Sequence, residues 1–319
     1  TACVKAHFPE HYVCAWLRIA KEEAKPLEEI RAMISEARRL KIEVKGPSAR
    51  NLPKIDFFIK KGTVYFGLDS IKACSEKTFN KLLAVDCDYK NISWVDFLVN
   101  YSHYINKPQM TNMIRVGCFD TFTIKSRIAM EYEYNNFALL TEPQKQKCRD
   151  VFKENPHFDF VLFFKNVHDA HRKIQKFKVI LFALEHPSYD LSESNENIIN
   201  NERELLGINI SCSKIEQVTN IDVKNRIKDI IDDPYDKTKV YYILGEISDY
   251  RDFKIKTGKM LGQTMGSFKI SDDSGELDVV CFPDKLDMCQ AGLFDGNVIY
   301  LHGKKSNRGG IILEKLYEL

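Results

Sequence analysis

The sequence predicts an α+β multidomain protein, mainly helical in its N-terminal part and ending in a five-stranded β-barrel. Three observations carry this. Apolar residues recur at a 3.6-residue period early in the chain, short β-branched and aromatic runs take over after about residue 239, and 319 residues at roughly 150 per domain leave chain for about two cores.

Residues 1 to about 120 read as helices interrupted by one extended patch. After Pro26, the apolar residues Leu27, Ile30, Met33, Ile34, Ala37 and Leu40 share one face. Glu28 and Glu29 in the first turn and Arg38, Arg39 and Lys41 at the end complement the helix dipole. Residues 55–66 place two aromatic and β-branched runs around Lys61-Gly62, which predicts a small hairpin. Helical patterns resume at about 69–84, 92–102 and 108–117, the last opened by Pro108. From 121 to 236 the pattern predicts helices near 142–153, 169–185 and 222–231 around a polar stretch, Ser188 to Asn201, read as a loop.

The extended candidates are Val240–Ile247, Ser267–Ile270, Leu277–Phe282, Val298–His302 and Ile311–Tyr317. Asp272-Asp273-Ser274-Gly275 supplies one turn and Asn307-Arg308-Gly309-Gly310 another, while Asp284 to Leu293 holds a short helix. Five strands with a helix after the third is the order of an OB-fold, which binds oligonucleotides through the loops joining strands 1–2 and 4–5.

Composition excludes several classes. The net charge of +2 gives no global sign of a polyanionic partner, so any such signal must be local. Nine cysteines without a C-x-x-C pair make neither a disulfide framework nor a zinc site, and suit a reducing compartment. No apolar run approaches the roughly 20 residues of a membrane span. The chain opens Thr1-Ala2-Cys3-Val4-Lys5 without an initiator Met or leader, and so reads as a piece of a longer polypeptide.

Local charge is uneven. Residues 239–319 carry eleven Lys and Arg against twelve Asp and Glu. Yet Arg251, Lys254, Lys256 and Lys259, with Phe253 among them, fall in the expected loop after strand 1, and Lys304, Lys305 and Arg308 in the expected loop after strand 4. Cations to neutralise phosphates beside an aromatic ring for base stacking are what a single-stranded nucleic acid requires.

Other strings carry no chemistry. His7-Phe8-Pro9-Glu10-His11 spells an inverted zinc-protease motif, but Pro9 starts a helix and leaves His7 outside it. His168 and His171 read as a surface pair, and Asp86-Cys87-Asp88 as a turn rather than a pair of metal-binding carboxylates. No P-loop, G-x-G-x-x-G or G-x-S-x-G is present.

Six blocks, in order, resemble the alpha subunit of DNA polymerase III, the bacterial C-family replicative polymerase. They are Thr1–Glu10, Glu36–Val44, Phe66–Lys72, Asn106-Lys107 with Ile114–Asp120, Glu202–Ser211, and Asp272–Gly275 with Val279–Pro283. The resemblance implies the end of the fingers region over residues 1–50 and a helix-hairpin-helix region gripping duplex DNA over 51–120. It further implies a helical connecting, clamp-proximal region over 121–236 and the OB domain over 237–319. Duplex contacts would then come from Lys72, Ser75, Lys77, Asn106 and Lys107, and template contacts from the basic barrel residues.

It also implies a parent that extends DNA from dNTPs with Mg²⁺, working in the cytoplasm of a bacterial cell or phage-infected host on primer-template and single-stranded template, with the sliding clamp as partner. The palm carboxylates would lie upstream of Thr1, so this chain would have no catalytic residues, metal or bound cofactor and would be inactive alone. Two departures stand out. Ala73-Cys74-Ser75 replaces a family G-V-G whose glycines let N–H groups approach a phosphate, and Ser188-Tyr189-Asp190-Leu191 is a poor stand-in for a clamp-binding string. The alternative from a different class is a stand-alone, non-catalytic single-strand-binding or replication adaptor protein; a peptide-gripping scaffold is the third.

Overall fold

The computed structural model describes residues 2–211, 225–258, 260–272, 274–294 and 296–317. The chain divides into two compact units: Thr1–Ala37 with Ile42–Ser211, and Arg38–Lys41 with Cys212–Leu319.

The first unit opens with helices α1 (Ala2–His7), α2 (Pro9–Ala20) and α3 (Pro26–Arg39). Pro9 and Pro26 each stand at a helix start, where a missing N–H costs nothing. The apolar period of α3 is its buried face: Ile30, Met33, Ile34 and Ala37 all lie inside. His7 ends α1 and His11 lies in α2, so no single helix carries both.

A three-stranded sheet follows, with β1 (Val44–Lys45), β2 (Phe58–Lys60) and β3 (Thr63–Tyr65) in the order β1-β3-β2. The expected hairpin is β2–β3, and its turn residues Lys61 and Gly62 have φ of 53° and 80°. Two successive positive φ values make the tight turn that suits strand twist. β1, parallel to β3, is an addition to the expected pair.

The helix expected over 69–84 is divided. A 3₁₀ turn at Leu68–Ser70 leads to a hairpin in which Ala73 has φ 68°, and only then does α4 (Glu76–Leu83) begin. α5 (Trp94–Asp96) runs on through a π turn at Phe97–Tyr101 and a 3₁₀ turn at Ser102–Tyr104 before α6 (Lys107–Arg115). Next come α7 (Arg127–Ala138), α8 (Glu142–Glu154), α9 (Phe160–Ala170), α10 (Gln175–Glu185) and α11 (Asn195–Leu206). Three expectations need correction. The single helix expected over 169–185 belongs to two helices, α7 was not anticipated, and the polar stretch ends at Ser194, whose hydroxyl caps α11.

Buried ion pairs tie this unit together. The Arg127 guanidinium, 4% exposed, donates to Asp120 (2.8 Å), Glu202 (3.0 Å) and Ser211 Oγ (2.9 Å). Glu202 in turn accepts the N–H groups of Ile210 and Ser211. These bonds outweigh desolvation and hold the guanidinium pKa above its usual value. Gly117 (φ 80°) makes room for this arrangement: a Cβ there would sit 2.3 Å from Arg127. Glu133 is buried beside Trp94 Nε1 (2.7 Å) and Lys125 Nζ (2.5 Å), and burial raises its carboxyl pKa despite the lysine.

In the second unit, β4 (Val240–Lys254), β5 (Thr264–Ser271), β6 (Glu276–Cys281), β7 (Val298–Lys305) and β8 (Ile311–Tyr317) form a closed barrel in the order β4-β5-β6-β8-β7. The β6–β8 contact is parallel, and α13 (Pro283–Cys289) lies between β6 and β7, so the barrel has the expected OB order. Inward residues such as Ile243, Phe268, Ile270, Val279, Leu301 and Ile311 fill the core.

Helix α12 (Ile227–Asp232) adds Ile227 and Ile230 to that core, its first N–H groups donating to Asp272 Oδ2 (2.9 Å) and Ser274 Oγ (3.1 Å). Residues 222–224 of the helix expected there lie outside the described residues, and no helix described is long and apolar enough to cross a membrane.

Candidate nucleic-acid interface

Register decides which basic residues of the barrel share a face. Arg251 pairs with Ser267, Ser267 with Val280, Val280 with Ile312, and Ile312 with Lys304. Partners in register point the same way, and Phe268 and Val279, the neighbours of Ser267 and Val280, point into the core. The row Arg251–Ser267–Val280–Ile312–Lys304 therefore points outward but crosses all five strands of the closed barrel and so circles it, Lys304 closing onto Val240 of β4 rather than onto Arg251. The face that Arg251 shares is that of Ser267 and Val280.

Phe253 pairs with Met265 one step along and lies on the same face, 46% exposed. Gly310, at the end of the β7–β8 loop, approaches β6 so closely that a Cβ there would be 2.7 Å from the Asp278 carbonyl. Among the described residues, Arg251, Lys254, Lys256 and Arg308 are exposed and make no ion pair with a carboxylate.

The other end of the face is acidic. Ser248, Lys269 and Asp278 form the next row, and the Lys269 ammonium bridges Glu276 (2.8 Å) and Asp249 (3.5 Å). Cations without a carboxylate partner are therefore gathered at the Arg251–Phe253 end of this face.

Several residues lie elsewhere than the sequence suggested. Arg251, Phe253 and Lys254 are in β4, because the strand continues past a bulge at Ser248–Arg251 and projects as a hairpin with β5. Lys256 lies in the connecting turn, whereas Lys259 lies outside the described residues. Lys304 is in β7 rather than the loop, and its ammonium meets Glu314 at 2.8 Å.

Lys305 is a correction: it is 8% exposed and points inward, its Nζ donating to the carbonyls of Ile230 (2.7 Å), Ile231 (3.1 Å) and Asp233 (2.5 Å). It caps the C-terminal end of α12, where a cation complements the helix dipole, and so leaves the nucleic-acid face.

The first unit gathers a second cationic site. The hairpin before α4 is pinned by α6, whose Asn112 Nδ2 donates to the Lys72 carbonyl (2.8 Å) and Gln109 Nε2 to that of Ala73 (2.9 Å). Asn106 caps α6, accepting the Gln109 N–H at 3.0 Å, and Ser75 caps α4 with its own N–H on Thr78 Oγ1 (3.0 Å). The two helix starts flank a surface hollow of about 400 Å³ that contains Ser75, Lys77 and Asn106.

Lys107, the first residue of α6, adjoins the hollow, while Lys72 is engaged by Glu204 at 3.0 Å. Burial pushes the Cys74 thiol up to about 12, so the middle of the hairpin carries no charge at neutral pH. Lys81, His103 and Gln109 also line the hollow, together with Thr78, Tyr104 and Ile105, and none of these is singled out by the sequence. Lys81 was legible, one helical turn beyond Lys77; His103 was not, because a 3₁₀ turn brings it there. Among the described residues, no group of three or more His, Cys, Asp or Glu is placed to hold a metal ion.

One unit is a small closed barrel with cations and an exposed ring at one edge, and the other presents two capped helix starts around lysines. A family model described as a helix-hairpin-helix motif matches residues 41–129. The chain is similar to the DNA polymerase III subunit alpha of Aquifex aeolicus (strain VF5), 24% identical over 307 residues, which is 95% of this chain and 22% of that protein.

The corresponding subunit of Thermus aquaticus is 26% identical over 137 residues, covering 42% of this chain and 11% of that protein. The chain thus spans about a fifth of the length of the Aquifex relative. The resemblance read from the six blocks extends over nearly the whole chain, consistent with the helix-hairpin-helix and OB region of that subunit.

Proposed function

We propose that this chain is the DNA-holding part of a replicative DNA polymerase, contacting primer-template duplex through the hollow between α4 and α6 and single-stranded template through the basic end of the barrel face. The observation that carries the reading is a coincidence. Three of the five duplex contacts expected from sequence, Ser75, Lys77 and Asn106, meet in one cationic hollow inside the segment that matches the helix-hairpin-helix model.

Helix starts supply N–H groups and positive dipole ends, and lysines supply charge, so the hollow suits a phosphodiester. On the barrel, Phe253 offers a stacking surface beside Arg251, Lys254 and Lys256. By the same similarity, the parent protein polymerises dNTPs with Mg²⁺ on a palm outside this chain, in the bacterial cytoplasm and with a sliding clamp; this chain alone holds DNA without extending it.

Binding of the full chain to a blunt hairpin duplex and to oligo-dT, each titrated with salt, tests the reading. Both affinities should fall steeply with salt; affinities indifferent to salt would reject it.

A further inference from the structure

The hollow has a feature that a bare phosphate cradle does not need. Its walls are Ser75, Lys77 and Lys81 from α4 and its cap, Asn106 and Gln109 from the start of α6, and His103 from the 3₁₀ turn between α5 and α6. The His103 ring packs against that of Tyr104, with centroids 4.0 Å apart, and is exposed to the hollow. We propose that His103 contacts the backbone phosphate seated in this hollow and takes up a proton as the phosphate enters. The proposal rests on the duplex-binding reading above and adds a proton-linked contact to it.

Cations face His103 from two helices. Lys81 approaches from α4, and Lys145 and Arg149 from α8, which lies outside the segment matched by the helix-hairpin-helix model. Glu142 opposes them but is engaged by Arg149 Nη2 at 2.5 Å, and Glu76 is the acidic residue in the first turn of α4. Desolvation, followed by the field of Arg149 and the lysines, holds the His103 pKa below the usual histidine value, so the free protein keeps the ring neutral at pH 7. An entering phosphate anion reverses that field and favours the imidazolium, which donates from both ring nitrogens.

The sign follows from linkage. Binding takes up a proton, so duplex affinity rises as pH falls, by at most about tenfold per pH unit, between the bound and free pKa values of this histidine. Duplex phosphates do not titrate in that range, and the other histidines are controlled by substitution.

The test uses the full chain and a blunt hairpin duplex without a single-stranded tail, at constant ionic strength from about pH 7.5 to about pH 5.5, a window around the ordinary histidine pKa. The wild type should gain at least about threefold more affinity across this range than His103→Gln, with the two within about twofold of each other at the alkaline end.

The imidazole proton resonance of His103, followed by NMR, should report a higher pKa with the duplex than without it. Lys81→Gln should raise the pKa of the free protein. Identical pH profiles for wild type and His103→Gln, or a His103 pKa unmoved by duplex, would overturn the proposal while leaving duplex binding intact. Failure of both proteins to bind duplex at any pH would overturn the reading it rests on as well.

Discussion

Lys305→Met separates the two roles open to a lysine beside the β7–β8 loop. The substitution keeps the buried stem and removes an ammonium that donates to three carbonyls at the end of α12. Bonds from a charged donor contribute about 1.5–3 kcal/mol each before the cost of desolvating the ammonium, and carbonyls left bare cost about 1–3 kcal/mol. A cation at a helix C-terminus adds up to about 2 kcal/mol. Desolvation of a side chain only 8% exposed offsets much of this, leaving a net loss of about 3 kcal/mol.

Trp16 and Trp94 both lie in the first unit, so tryptophan fluorescence does not report on the barrel. Hydrogen exchange across α12 and β7, with far-UV circular dichroism during urea unfolding, is the suitable assay. Exchange should quicken in those two elements, while the salt slope of oligo-dT binding stays unchanged. A barrel as stable as wild type with weakened oligo-dT binding would show that Lys305 faces nucleic acid, and the reasoning would be wrong.

Other outcomes follow from the geometry. Ala73→Gly should stabilise the first unit by about 0.5 kcal/mol in urea melts, because relief of a left-handed φ of 68° exceeds the entropy that glycine adds to the unfolded chain; a destabilised variant would contradict this. Gly117→Ala should cost about 3 kcal/mol in the same melts, since its Cβ meets the Arg127 guanidinium and its φ is positive. Glu204→Gln releases Lys72 and should strengthen duplex binding, steepening its salt slope by up to about 0.9; an unchanged affinity would place Lys72 away from DNA.

The barrel was legible because its strands alternate and its turns carry Gly and Asp, so strand order and the helix after the third strand follow from pattern alone. The same alternation placed Lys305 inside, since Ile299, Leu301 and Gly303 face the core at the same period. The charge of Lys305 concealed that signal. The far half of β4 was illegible for the opposite reason: Arg251-Asp252-Phe253-Lys254 projects into solvent and has no core face to imprint a period.

α7 and α11 escaped because parts of their buried faces are polar. Arg127, Glu133 and Glu202 occupy inward positions that only their ion pairs make tolerable. The hollow required tertiary structure, since Ser75 and Asn106 are 31 residues apart and meet only when α4 and α6 come together. The break between α9 and α10 has no Gly or Pro to announce it.

The claim on which the account depends is that the basic end of the barrel's outer face holds a single strand. Fluorescence anisotropy of labelled oligo-dT with the full chain, titrated with salt, measures it directly. Comparison is with Arg251→Gln/Lys254→Gln/Lys256→Gln. With about 0.7 in log–log slope per phosphate neutralised on a single strand, removing three unpaired cations should flatten the slope by about 2 and weaken binding at low salt. A folded triple variant with the wild-type slope would contradict the account.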